Sequence, residues 1–188
     1  ADVRYVIVGA GPAGVLAAEM LRQVDAAGAV TLIGGENEPP YSRMAIPYLL
    51  EGNIGEEGTL LRKDPEHYRQ VGIEYLRNTR VASVDTAGKQ VKLEGGQGLA
   101  YDKLLLATGS RPVAPPIEGM GQEGIYPCWT LEHARAIKAR LGEGNHVVLI
   151  GAGFIGSIIL DALGSQPLTL SVVEADTHMT PRMMNRAG

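Results

Sequence analysis

Apolar residues in this chain fall into two rhythms, short β-branched runs that stop at glycine and longer Ala- and Leu-rich stretches at helical spacing. The run from Val3 to Val8 ends at Gly9, and apolar positions at helical intervals then continue from Ala13 to Ala26. That order predicts a buried strand, a tight turn and a helix. Gly28 stops the helix, and Val30 to Ile33 reads as a second strand, so the first 33 residues form a βαβ unit with a right-handed crossover. The same rhythm returns late in the chain. It predicts a strand at His146 to Ile150, a helix at Phe154 to Leu163 and a strand at Leu168 to Val173.

Between the two units the pattern is more broken. Met44 to Glu51 is apolar enough for a short helix interrupted by Pro47, and Pro65 to Val71 suggests another, ended by Gly72. Strand-like pieces follow at Ile73 to Leu76, Arg80 to Asp85 and Gln90 to Leu93. The last two flank Thr86-Ala-Gly-Lys89 and read as a hairpin. Tyr101 to Gly109 is a strand running into a turn of small residues. The proline-rich Ser110 to Ile117 is a plausible linker, and a helix is expected at about Thr130 to Leu141.

Each glycine of Gly9-Ala-Gly11-Pro-Ala-Gly14 has a physical task. Gly9 permits the turn, Gly11 leaves no Cβ between main chain and a pyrophosphate, and Gly14 lets the helix lie close to the strand. Pro12 fits the first helical turn, which needs no donor from it. With Ala13 it places the positive end of the helix dipole toward a phosphate. Gly151-Ala-Gly153-Phe154-Ile155-Gly156 repeats all three glycines in the same context. Two candidate dinucleotide sites in one chain follow.

An acid about 20 residues beyond the third glycine accepts the ribose hydroxyls of a bound dinucleotide. The first available is Glu36, with Glu38 second; in the repeat it is Glu174. A carboxylate at Glu174 suits the free 2′-hydroxyl of NADH and repels the 2′-phosphate of NADPH, so NADH is the expected partner and NADPH the less favoured one. Arg43, in Pro39-Pro-Tyr-Ser-Arg43, is a planar cation suited to a phosphate or a flavin edge.

Bulk properties exclude several classes. A net charge of −4 over 188 residues, without a cluster of Lys and Arg, argues against nucleic-acid binding. The apolar run between His146 and Asp161 is broken by three glycines and is too short to cross a bilayer. The chain opens on strand-forming residues, and a cytoplasmic location is expected. Cys128 is the single cysteine, so neither an internal disulfide nor a Cys-based metal site is expected, and it reads as a part-buried apolar residue beside Trp129. His67, His133, His146 and His178 lack ligand spacing and are expected on the surface or in loops.

The two glycine-rich units in this order, with Pro40-Tyr-Ser-Arg43 after the first and Ala107-Thr-Gly-Ser-Arg-Pro112 before the second, resemble the FAD- and NAD(P)-dependent pyridine nucleotide-disulfide oxidoreductases. The Pro-Tyr-x-Arg segment is most similar to the ferredoxin, rubredoxin and nitrite reductase branch. The resemblance implies an α/β protein of two Rossmann-like three-layer units, with parallel sheets and an antiparallel β excursion. It implies an FAD-binding domain at 1–117, then a linker helix and the first half of an NAD(P)-binding domain at 118–188.

FAD would then be held by Gly9, Gly11, Pro12, Ala13, Gly14 and Glu36, with Arg43, Thr108, Gly109 and Arg111 near the flavin and the backbone of Val81 at the adenine. NADH would be held by Gly151, Gly153, Phe154, Ile155, Gly156 and Glu174. The implied activity is hydride transfer from NADH to FAD and electron release to an acceptor protein or small molecule, with no side-chain nucleophile and no metal. Alternatives are a nucleotide-binding subunit without turnover and a flavoprotein dehydrogenase acting on an organic substrate. A homo-oligomer, or completion by further chain, is expected. The chain departs from the disulfide-reducing members in lacking Cys-x4-Cys, from the oxidase branch in having Met44-Ala45 where a reactive cysteine would precede Ile46-Pro-Tyr48, and from many ferredoxin reductases in having no Lys between Arg43 and Lys63. Ile158 stands where a Glu is frequent.

Overall fold

Alternation along the first strand decides how the layers stack. In the computed structural model, which describes residues 2–185, the elements in chain order are β1 (Arg4–Val8), α1 (Pro12–Val24), β2 (Ala29–Ile33), α2 (Ile46–Glu51), α3 (His67–Gln70), β3 (Ile73–Leu76), β4 (Val81–Asp85), β5 (Gln90–Leu93), β6 (Gly98–Ala100), β7 (Lys103–Leu106), α4 (Leu131–Lys138), β8 (His146–Ile150), α5 (Phe154–Gly164) and β9 (Thr169–Val173). They divide between two units, Ala1–Ser42 with Leu60–Arg111 and Arg43–Thr59 with Pro112–Gly188.

In the first unit a parallel sheet has strand order β3-β2-β1-β7. Ile7 on β1 with Val30 and Leu32 on β2 packs against Val15 and Ala18 of α1, and Tyr68 and Ile73 join them. Val6 and Val8 point to the other face, where they meet Val91, Leu93 and Tyr101 beneath the antiparallel sheet β4-β5-β6. Period-two alternation thus supplies both faces of one buried sheet, giving a helix, a parallel sheet and an antiparallel sheet as three layers. The hairpin expected at β4 and β5 is present. Its third strand, β6, was not expected, because Gly-Leu-Ala is too short for alternation to register.

The second unit pairs β8 with β9 in parallel and sets α5 against them. Ile46, Leu49 and Leu50 of α2, Leu131 and Ala134 of α4, and Ile159, Ala162 and Leu163 of α5 are buried. Gln166 donates from Nε2 to the carbonyl of Glu51 at 3.2 Å, tying α2 to the end of α5. Pro47 corrects the sequence expectation. It does not interrupt the helix but sits in its first turn, where its fixed φ is compatible and its missing N–H costs nothing. Two of the histidines, partly exposed as surface residues, make defined contacts. His67 lies within α3 with Nε2 2.8 Å from Glu19, and His133 is half-buried in α4 as part of a capping box with Thr130.

The open ends of β1 and β7 are joined by charge. Asp102 accepts the Arg4 backbone N–H at 2.8 Å and its guanidinium at 3.0 Å through both oxygens. Those bonds, the side-chain ones foremost, hold the Asp102 carboxyl well below the usual carboxylate range. A depressed folded-state pKa contributes stability that is present above the ordinary value near about 4 and is lost as pH falls through the folded value. Asp102→Asn is therefore expected to lower stability modestly at pH 7, because the pair is half-exposed and screened, and to flatten the acid limb of the stability profile below about pH 4 by the same amount. Urea midpoints measured by circular dichroism from pH 2 to 7 check this; an unchanged acid limb refutes it.

Candidate dinucleotide-binding site

The first cradle lies where the sheet order turns. β2 and β3 extend to one side of β1 and β7 to the other, so the crevice at the carboxyl ends of β1 and β7 is a topological switch point. Gly9 sits there with φ +114°, and a Cβ on it would lie 2.1 Å from the Ala107 carbonyl oxygen. Its N–H donates to Ile33 and that of Ala107 to Val8, so the turn is stitched to both neighbouring strands. Gly14 brings α1 against that turn: a Cβ there would lie 1.8 Å from the Gly9 carbonyl oxygen. Gly11 differs, since nothing stands within 4 Å of the Cβ it lacks.

Gly11 is also the N-cap of α1 and supplies no side-chain acceptor, and the first turn contains no acid. Open space lies beside that helix end at Gly11, and Pro12 and Ala13 are exposed, the arrangement in which a helix N-terminus receives an anion. At α4, by contrast, Thr130 and His133 close the N-terminus with a full capping box. Among the three longest helices, α1, α4 and α5, the two ends without a side-chain cap are those behind the glycine loops.

The second cradle repeats the design. Gly151 has φ +92°, a Cβ on Gly156 would lie 2.1 Å from the Gly151 carbonyl oxygen, and Gly153 faces space with nothing within 4 Å. Gly153 is the N-cap of α5, again without a side-chain cap or a first-turn acid. Phe154 and Ile155, which open the helix, are exposed. One contrast has a clear cause. Gly9 is crowded by the end of β7, whereas β8 has β9 on one side only among the described residues, and nothing approaches Gly151.

The two acids are held in different ways, and Glu174 sits against its own loop. Glu174 accepts the Ala152 N–H at 2.6 Å through one oxygen and the Asp176 N–H at 3.0 Å through the other. Those backbone bonds, Asp176 first and Ala152 next, hold its carboxyl below the ordinary range. Glu36 accepts the Tyr41 phenol at 2.6 Å, and its carbonyl accepts the Asn78 N–H at 3.1 Å. Nothing in the sequence pattern singled out Tyr41; only its place after Pro39-Pro40 hinted at a fixed geometry.

The remaining predicted residues are placed as follows. Thr108, Gly109 and Arg111 continue from β7 as exposed main chain, with Gly109 at φ +66°. Val81 begins β4 opposite Leu93, just before a bulge. Arg43 belongs to the second unit, where it donates to the Trp129 carbonyl at 2.9 Å and lies 5.1 Å from the centre of the Trp129 ring. Beside Trp129, Cys128 is half-buried, and desolvation pushes its thiol up to about 11. No group of His, Cys, Asp and Glu among the described residues could hold a metal ion. No helix among them is long and apolar enough to cross a membrane.

Two strand-turn-helix cradles, each with a bare central glycine, a helix without a side-chain N-cap and a carboxylate within a few residues past its second strand, define a dinucleotide-binding protein of the Rossmann class. The chain belongs to the pyridine nucleotide-disulphide oxidoreductase family, whose model matches residues 3–187. Membership in it implies FAD and NADH as cofactors. The chain is 34% identical to the NADH oxidase of Methanocaldococcus jannaschii, covering 97% of this chain and 42% of that protein. It is 33% identical to the rubredoxin-NAD(+) reductase of Pseudomonas putida, covering 96% and 46%. Among solved structures it is similar to the putidaredoxin reductase chain of a covalent complex with putidaredoxin, with a TM-score of 0.92, 30% identity and coverage of 98% and 45%. The chain thus spans under half the length of these relatives.

Proposed function

We propose that this chain binds FAD in the first cradle and NADH in the second, and serves an oxidoreductase that passes a hydride from NADH to the flavin and then electrons to an acceptor. The observation that carries the reading is the pair of uncapped helix N-termini, each facing open space across a central glycine. Bound FAD supplies hydride acceptance and stepwise electron release, chemistry that no side chain performs. The protein's part is placement and field.

In this reading Gly9, Gly11, Pro12, Ala13 and Gly14 admit the FAD diphosphate against main chain, and the α1 dipole stabilises its charge. Glu36 accepts the adenosine ribose hydroxyls, the Val81 backbone meets the adenine, and Thr108, Gly109 and Arg111 lie toward the flavin. Gly151, Gly153, Phe154, Ile155 and Gly156 receive the NADH diphosphate, and Glu174 receives its ribose. Relatives named as rubredoxin and ferredoxin reductases support an electron-carrier protein as acceptor.

The test is reconstitution with FAD followed by anaerobic NADH. A yellow protein whose flavin absorbance bleaches with NADH supports the proposal. A protein that remains colourless after incubation with FAD overturns the first site. Tight binding of both nucleotides without bleaching overturns hydride transfer and leaves a nucleotide-binding unit without turnover.

A further inference from the structure

The two ribose acids are oriented by different means. Glu174 is gripped by two backbone N–H groups, one from its own glycine loop. Glu36 accepts a side-chain donor, the Tyr41 phenol at 2.6 Å. That distance is typical of a strong O–H to carboxylate hydrogen bond. Tyr41 is itself immobilised: it is 7% exposed, it follows the rigid pair Pro39-Pro40, and it bridges Leu60 while the Leu61 N–H donates to the Pro40 carbonyl at 3.0 Å. The loop between acid and phenol is framed again by Tyr75, whose hydroxyl donates to the Glu38 carbonyl at 2.9 Å.

A glutamate on a loop loses rotamer freedom when it engages a ligand, and that cost lowers affinity unless it is met in the free protein. We propose that Tyr41 is a positioning residue for the first site: its phenol fixes the Glu36 carboxylate in the orientation that receives the adenosine ribose of FAD. A carboxylate has about four acceptor positions, so accepting the phenol leaves capacity for ribose hydroxyls. The inference rests on the reading of Glu36 as the ribose acid.

The experiment titrates the protein, Tyr41→Phe, Glu36→Gln and the double variant with FAD and with the FAD analogue whose adenosine lacks the 2′-hydroxyl, following flavin fluorescence. Tyr41→Phe is expected to weaken FAD about tenfold, and the double variant is expected to bind no more weakly than Glu36→Gln. Within Tyr41→Phe the ratio of FAD to analogue affinity should fall toward one. The ratio is taken within each variant, so a general loss of fold cancels from it. Equal weakening of both ligands, or additive losses in the double variant, would overturn the role of Tyr41. If Glu36→Gln leaves FAD affinity unchanged, the ribose reading of Glu36 fails instead. Full affinity in Tyr41→Phe beside a weakened Glu36→Gln removes the positioning role alone.

Discussion

Gly14→Ala is expected to destabilise the first unit, whereas Gly11→Ala, three residues earlier, is expected to leave its stability unchanged and the unit unable to hold FAD. The added methyl at Gly14 would lie 1.8 Å from the Gly9 carbonyl oxygen and 3.4 Å from Ile7 Cγ2. Neither is the flexible end of a surface side chain, so relief requires moving α1 off β1. That movement opens the packing of Val15 and Ala18, both almost fully buried, against Ile7. Overpacking of a tight core costs about 1–3 kcal/mol and at times more, a large part of a total stability of about 5–15 kcal/mol. A urea midpoint lowered by a corresponding amount, with FAD binding lost in parallel, is the expected result.

At Gly11 the geometry points the other way. Its φ of −78° suits any residue, and open space surrounds the missing Cβ. Alanine should leave the midpoint unchanged while placing a methyl where the diphosphate must meet main chain. A loss of FAD affinity of about a hundredfold, equal to about 2.7 kcal/mol, is expected. Gly156→Ala and Gly153→Ala should repeat the contrast for NADH, since a Cβ at Gly156 meets the Gly151 carbonyl oxygen at 2.1 Å and one at Gly153 meets nothing. Gly14→Ala folding normally, or Gly11→Ala keeping its FAD, would contradict the division of labour among the three glycines.

The contrast also explains what could be read in the sequence. A glycine in a turn and a β-branched run before it are local signals, so both cradles, the βαβ units and the β4–β5 hairpin were legible. The partners that fix the site were not. Tyr41 reaches Glu36 through a loop whose path depends on the Leu60 bridge, and Arg43 meets Trp129 across 86 residues of chain. Periodicity says nothing of a side chain that turns back to cap its own helix, as His133 does. The grouping of Arg43–Thr59 with Pro112–Gly188 was hidden for a related reason. Ile46, Leu49 and Leu50 announce burial, but only tertiary packing says against which helices.

The second large effect is expected at Glu174, where Glu174→Gln should erase most of the preference for NADH over NADPH. Glutamine keeps the length of the side chain and one acceptor oxygen for the Ala152 N–H of the glycine loop, while the charge and the bond from the Asp176 N–H are lost. In the proposed site the anion would reject a 2′-phosphate by like-charge repulsion as well as by accepting a hydroxyl. Its backbone donors hold the carboxyl below the ordinary range, so the charge persists in mild acid and is lost only as pH falls through that lowered value. The native preference should therefore hold from about pH 7 to about pH 5 on the protein's side, and any decline should follow protonation of the phosphate. Because the residue is only partly buried, part of the preference should also fade between about 0.05 M and about 0.5 M salt. Nicotinamide fluorescence titrations with both nucleotides should show the NADH-to-NADPH affinity ratio dropping about tenfold or more in the variant and becoming insensitive to salt. A ratio unmoved by the substitution would locate discrimination in the shape of the pocket and remove Glu174 from it.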